Sequence, residues 1–555
     1  MNRRPLIGLT AFAGFTAAPA LRRTLLAVLV LALASGGPAT AQAPGVVRLP
    51  SLGESASDDL SVSAEKRLGE AILREARRDP DFLDDPVLLA YVQTLWQPLL
   101  AAAREAGHID AELERQFAWE LFLVRDRSVN AFAWPGGYVG VHLGLIALTG
   151  NRDQLASVLA HELVHVTQRH IARGIGNSQR ASLITLASLL LGILAASRSN
   201  NADAANAAIA TGQAAGVQTQ LNFSRDMERE ADRIGYTVFT QAGFATAGMA
   251  QMFERLDSAS RLNDSGGFPY LRSHPLTTDR ISEARNRFML APRGNAQPTL
   301  MHALMQMRAR VLMDANPAAL QRLAAGGSGS PLALDRVAAL YGGAFAQLAL
   351  GQPARAEALA RDALEQAAQL GPRDAQAERA ITLLQAEALV ARGDAPAALR
   401  LLAALAERSG NAGKERPLLL AQARAALAWG RQDAPAAAGE LRRSTEALQT
   451  WVAERAQDAQ AWELLAGTAE AIGQKLRAMR AAAEARAVLG DLNGAIDRLR
   501  AAQAHARGGL AGQEFIEASV IDARLRQLLA ERREIALEAR GGRGEPRREP
   551  DAPPQ

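Results

Sequence analysis

Apolar and polar residues alternate with a helical period over most of this chain. From Ser61 to about Gly107 the pattern is helical, punctuated by Asp79-Pro80 and Asp85-Pro86. Phe117 to Val124 is a run of bulky apolar residues and predicts a strand. Asn130 to Val141 predicts two short strands around a Pro135-Gly136-Gly137 turn. A helix is expected from Asn151, a good N-cap residue with Gln154 three positions on as in a capping box. Leu155, Val158, Leu159 and Val166 then form an apolar stripe. A second helix is expected from about Ser224 through Gly235. Between the two, residues 182–196 are strongly apolar and an Ala/Asn-rich segment follows to about residue 217. That stretch of roughly 15 residues is shorter than the ~20 needed to span a bilayer, so it predicts a buried helix or a lid.

From about residue 300 the texture becomes Ala/Leu/Arg-rich helices separated by short Gly-containing turns. A glycine followed five residues later by alanine recurs at Gly351/Ala356, Gly393/Ala398 and Gly490/Ala495. The glycine ends one helix and the alanine lets the next pack closely. This resembles divergent tetratricopeptide repeats, with a degenerate turn expected near Gly430. Arg540 to Gln555 is Pro/Gly/Arg-rich and is expected to be disordered.

At 555 residues the chain is too long for one small core, which predicts two or more domains. Its first 43 residues hold four arginines and no acid, with Arg22-Arg23 ahead of an apolar run from Leu25 to Ala34. Gly36-Gly37-Pro38 and two small-x-small sites, Ala39-Thr40-Ala41 and Ala41-Gln42-Ala43, follow. That order predicts a cleaved secretory signal peptide over residues 1–43. Of 62 basic residues, 58 then remain against 58 acids, so the overall charge of +4 points to no nucleic-acid partner. Cysteine is absent, which excludes disulfides, thiolate metal sites and cysteine catalysis, and with a signal peptide suggests the bacterial periplasm.

The chemistry concentrates in His161-Glu162-Leu163-Val164-His165. Histidines four apart on a helix share one face and can both reach one zinc ion, while Glu162 can act as general base on a water. Accident alone produces this pattern in roughly one chain in two hundred of this length. One zinc-peptidase class takes a third ligand from the same segment, but its glycine and histidine positions are Gln168 and Ile171 here. His170 lies about 140° around a continuous helix from His165, which suggests a surface or outer-sphere place. In Ser224 to Arg233, Glu228 and Asp232 share a helix face while Glu230 lies about 200° away. Glu228 can bind the metal and Asp232 can hydrogen-bond a ligand imidazole, although such an acid-rich helix is more often a solvated face.

His161-Glu162-x-x-His165 followed by Glu228-x-x-x-Asp232 resembles the gluzincin metallopeptidases of the HtpX and CAAX-prenyl-protease type. The wider similarity includes the Asn130-Ala131-Phe132-Ala133 strand, the Val-Thr-Gln-Arg-His run after His165, Glu-Ala-Asp-Arg-Ile-Gly and Ser273-His274-Pro275-Leu276 with Arg280. It is strong to about residue 290 and loose beyond, and points to the soluble periplasmic branch that carries C-terminal tetratricopeptide repeats. The resemblance implies Glu228 as third zinc ligand. It places His274 and Arg280 in the active site, either stabilising an oxyanion or, for His274, holding the open zinc position.

The expected fold is mainly α: a zinc-metallopeptidase domain with a small β-sheet over residues 44–295, an α-helical tetratricopeptide-like solenoid over 296–539 and a tail over 540–555. The expected function is a periplasmic endopeptidase with one Zn2+ per chain. His161, His165 and Glu228 are its ligands, Glu162 its base, and Asn130, Ala131, Phe132 and Ala133 the strand that holds substrate by β-augmentation. The resemblance implies unfolded or misassembled protein substrates, quality control of outer-membrane proteins, and contact with the β-barrel assembly machinery, with at most peripheral membrane contact. The rival is a chaperone or binding module whose zinc site is structural or vestigial.

Overall fold

The computed structural model describes residues 60–175, 225–262, 268–290, 294, 296–314, 316–325, 330–409, 415–507 and 514–541. The expected signal peptide, the apolar stretch 182–196 with its Ala/Asn-rich continuation, and residues 542–555 of the expected tail lie outside these.

Helix α1 (Val62–Ala76) begins where the Ser61 side chain accepts from the N–H of Ala64. Helix α2 (Pro86–Glu105) begins where Asp85 accepts from the N–H of Leu88, with Pro86 at the first helical position. The two Asp-Pro pairs thus punctuate the helical stretch as expected. Between them lies β1 (Phe82–Leu83), too short to leave a period in the sequence. After α3 (Ala111–Gln116) come β2 (Glu120–Val124), β3 (Ala131–Trp134) and β4 (Tyr138–His142). The expected strand from Phe117 starts three residues later, because Trp119 takes the left-handed backbone (φ 52°) and leaves the ladder. The expected hairpin forms, with Gly136 and Gly137 both at positive φ in its turn. The sheet order is β1-β2-β4-β3; β2 and β4 run parallel and the other pairs antiparallel. Among the described residues, β3 is therefore an edge.

A short α4 (Leu143–Leu148) leads to α5 (Arg152–Thr167), the helix that carries the His-Glu motif. Asn151 caps it, accepting from the N–H of Gln154 at 3.0 Å, while the Gln154 side chain accepts from the N–H of Gly150 at 2.7 Å. The expected apolar stripe proves too narrow a description. Every residue from Asp153 to Thr167 is buried, because α5 is the central helix, packed against α2, β3 and two later helices. Those are α7 (Arg225–Gln241) and α8 (Ala247–Leu262). Helix α6 (His170–Ile175) follows α5 directly, and α9 (Pro269–Ser273) and α10 (Thr278–Leu290) complete this part.

The remaining helices begin with α11 (Leu300–Met313), α12 (Pro317–Ala325), α13 (Ala333–Ala349), α14 (Pro353–Ala368), α15 (Ala375–Ala391) and α16 (Ala395–Ser409); α11 and α12 both pack on α13, and from α13 on each stacks against the next. They continue as α17 (Arg416–Gln432), α18 (Ala434–Glu454), α19 (Ala459–Ala471), α20 (Lys475–Val488), α21 (Leu492–Ala506) and α22 (Glu514–Gly541). Gly351, Gly393 and Gly490 each take positive φ just past a helix, and Ala356, Ala398 and Ala495 are fully buried. A further pair with the same spacing, Gly473 (φ 80°) and buried Ala478, escaped the sequence reading. The turn expected near Gly430 lies at Asp433, which is the N-cap of α18; Gly430 itself is helical.

Among the described residues, one hydrophobic core extends from Leu83 through α5 and α11 to Leu384. The N-terminus of α2 is tied to the stacked helices by ions as well. Arg308 holds Asp85 through two bonds of 2.8 Å, donates to the Tyr341 hydroxyl and lies 4.3 Å over the Phe345 ring. Arg416 bridges Asp84 and Asp458.

Candidate metal centre

Helix α5 presents His161 and His165 on one face and Glu162 beside them, as four-residue spacing requires. Helix α7, packed along α5, delivers Glu228 and Asp232 to the same place. His274 is the C-cap of α9, its N–H bonded to the carbonyl of Tyr270 at 2.8 Å, and Arg280 lies in the first turn of α10. His161, His165, Glu228 and His274 are all buried, and their donor atoms lie within 4.8 Å of one another.

Zinc in tetrahedral coordination, with bonds of about 2.0–2.1 Å, sets its ligand atoms about 3.3 Å apart. The two Nε2 atoms of His161 and His165 are 3.0 Å apart. Glu228 lies 3.4 Å from His161 Nε2 and 3.5 Å from His165 Nε2. His274 Nδ1 stands 3.4 Å from His161 Nε2 and 2.9 Å from Glu228 Oε1. Four donors converge at separations close to those of a zinc coordination shell.

The charge balance fits a divalent cation too. Glu162, Glu228 and Asp232 are buried here with Arg280 as the compensating arginine. The three carboxyl groups outnumber that guanidinium by two, and buried charge must be paired. The Glu162 carboxylate makes no hydrogen bond of ordinary geometry; the backbone N–H of Ala133 on β3 faces it. Burial raises the Glu162 pKa, partly offset by His274 and His161. Burial opposes charge on His161, but Asp232 and Glu228 outweigh it and push its pKa up to about 10. Burial and the neighbouring imidazoles drive His165 the other way, well below its ordinary value.

Asp232 Oδ1 lies 3.0 Å from His161 Nδ1, on the side of the ring away from the cage. Arg280 fastens Asp232 with Nε and Nη2 at 2.6 and 2.9 Å, pairs with Glu228 Oε2 at 2.9 Å and donates to the Pro275 carbonyl. Its donors thus face the two acids and a loop carbonyl.

Tyr270 escaped the sequence reading, and for His170 the outer-sphere alternative fits although the expected angle does not. The Tyr270 ring packs 4.6 Å from that of His274, and its backbone N–H bonds the Val129 carbonyl beside Asn130. Periodicity offered no signal for it. His170, expected about 140° away, is fully buried with its Nδ1 only 2.9 Å from His165 Nδ1. The expectation assumed a continuous helix. The chain breaks at Arg169, whose left-handed backbone (φ 51°) is anchored by bonds to Glu65 and the Leu60 carbonyl, and so turns His170 back.

The peptidase family M48 profile matches residues 94–288, which contain every group named here as a metal donor. The β-barrel assembly-enhancing protease of Yersinia pestis is 32% identical over 520 residues, covering 91% of this chain and 97% of the relative. This chain belongs to family M48. The β-barrel assembly-enhancing protease of Escherichia coli is 35% identical over 268 residues, 48% of this chain and 52% of the relative. The mitochondrial metalloendopeptidase OMA1 of Saccharomyces cerevisiae is 30% identical over 195 residues, 34% of this chain and 53% of the relative. The chain spans about half the length of these last two. M48 metallopeptidases use zinc, and the buried His161, His165, Glu228 and His274 group can hold it.

Proposed function

We propose that this M48 member is a zinc-dependent endopeptidase of the periplasm that removes unfolded or misassembled outer-membrane proteins. The observation that carries the reading is the four-donor cage beside a buried Glu162 that faces β3, an edge strand among the described residues. When bound, zinc supplies a Lewis acid for water and for the peptide carbonyl. Asn130 to Ala133 align an extended substrate as an added strand, with the Ala133 N–H on the catalytic side. Glu162 takes a proton from the attacking water and returns it to the leaving amine, a role suited to a carboxylate whose pKa burial has raised. Arg280 and Asp232 hold Glu228 and His161 in place.

His274 has two possible duties, and its geometry favours restraint. Its Nδ1 sits where a fourth ligand would, and catalytic zinc needs that position open. In our reading His274 holds the resting enzyme latent and withdraws when substrate or a partner shifts α9. The same closed cage gives the rival reading its one support, since four protein ligands characterise structural zinc. The helices α11–α22 would recruit substrates or partners, and the relatives' names support the β-barrel assembly machinery as one of these. The Arg22-Arg23 leader supports secretion, and among the described residues no helix is long and apolar enough to cross a membrane.

Zinc content measured beside cleavage of an unfolded protein, for wild type and Glu162→Gln, tests the proposal. A hydrolase predicts zinc in both and cleavage reduced at least ~100-fold in the variant. Zinc in wild type without cleavage would leave the rival standing.

A further inference from the structure

A histidine that binds metal through Nε2 must carry its hydrogen on Nδ1, and that N–H needs an acceptor. For His161 the acceptor is Asp232. His165 Nδ1 faces His170. The two Nδ1 atoms are 2.9 Å apart, and His170 Nε2 lies 3.1 Å from Glu230 Oε2. The same Glu230 oxygen accepts from Arg173 at 3.0 Å. The proton order follows from one end. With a metal on its Nε2, His165 is a donor at Nδ1, so His170 Nδ1 is a bare acceptor. A neutral His170 then carries its one hydrogen on Nε2 and donates to Glu230, which as a carboxylate only accepts.

We propose that His170 and Glu230 form a relay that fixes the tautomer and ring orientation of His165, doing for it indirectly what Asp232 does for His161 directly. The inference rests on the zinc reading above. Three acids of α7 then have separate roles, with Glu228 in the cage, Asp232 behind one histidine and Glu230 behind the other. The relay also gives the Arg169 break a purpose, since a continuous helix would carry His170 away from His165. His170 and Glu230 are positioning residues, since neither reaches the cage itself.

Zinc affinity of the full chain, by competition with a chelator at pH 7, is the test, with the absorption spectrum of the cobalt(II)-substituted protein as second readout. His170→Ala should weaken zinc binding by about 10- to 100-fold and alter the cobalt bands. His170→Asn should recover much of both, because its amide oxygen can accept where Nδ1 did. Glu230→Ala should cost about tenfold in the wild-type background and nothing measurable in His170→Ala, as two links of one chain require. Wild-type affinity and an unchanged cobalt spectrum in a folded His170→Ala would overturn the relay. So would an equal Glu230→Ala effect in both backgrounds. Should His170→Ala fail to fold, His170→Asn and Glu230→Ala carry the test: wild-type affinity in Glu230→Ala refutes it. A wild type that binds no zinc would instead sink the reading beneath it.

Discussion

His274 Nε2 lies 3.5 Å from Glu162 Oε1 while the Nδ1 of the same ring lies 2.9 Å from Glu228 Oε1. One imidazole therefore touches both the expected base and an expected ligand. If it restrains the enzyme, His274→Ala should retain zinc through the other three ligands and cleave an unfolded protein as fast as wild type or faster. An inactive variant with normal zinc would remove the latch and leave a catalytic duty.

The Glu228 carboxylate lies 3.4 and 3.5 Å from the two Nε2 atoms of His161 and His165, and Asp232 stands one layer behind. Metal analysis after dialysis should find almost no zinc in Glu228→Ala. Asp232→Ala should bind about 10- to 100-fold more weakly than wild type. Equal losses in the two variants would show that the first ligand has been misassigned.

Arg308 and Asp85 form a pair in which both side chains are almost fully buried. Removing one partner strands the other, at a cost of about 3–5 kcal/mol. Arg308→Ala should lower the urea midpoint accordingly. Combining Arg308→Met with Asp85→Asn should recover part of the loss, since neither charge is stranded and Asn still caps α2. A single variant within about 1 kcal/mol of wild type would contradict this account of the junction.

His302 is buried on α11, with Nδ1 2.6 Å from the Tyr91 hydroxyl and Nε2 3.0 Å from the Thr149 carbonyl. Burial lowers its pKa to about 4, against a partial opposing effect of Thr149. As pH falls through about 6.5 the unfolded chain takes up a proton that the folded chain refuses until about 4. Its contribution is therefore complete above pH ~6.5 and lost between ~6.5 and ~4, about 3 kcal/mol in all and about 2 by pH 5. Urea unfolding at pH 7 and pH 5 should show a smaller drop for His302→Gln than for wild type. Identical drops would show that His302 does not set this acid sensitivity.

What could be read from the residues alone was what local spacing encodes. Asn151 and Gln154 marked the start of α5, Pro135-Gly136-Gly137 the hairpin, and the four-residue steps His161/His165 and Glu228/Asp232 the shared faces. Each depends on dihedral angles within a few residues. The misreadings arise where backbone or tertiary context intervenes. Arg169 in left-handed backbone upset the phase of His170, and Trp119 did the same to the start of β2. The divergent repeats hid Gly473/Ala478. The Arg308–Asp85 pair joins positions 223 residues apart, and no periodicity reports a partner at that distance.

Among the described residues, the core from Leu83 to Leu384 includes helices on both sides of the expected boundary near residue 295. Helix α11, beyond that point, packs on α4 and α2, and α2 in turn packs on α5, which carries His161 and His165. A fragment cut there would strip from α2 and α4 the cover of α11, whose Leu300, Leu304 and Met305 belong to the same buried core. The apolar surface so uncovered self-associates. The motif and the first stacked helices should therefore melt together as one cooperative body, and a catalytic half expressed by itself should be recovered as aggregate.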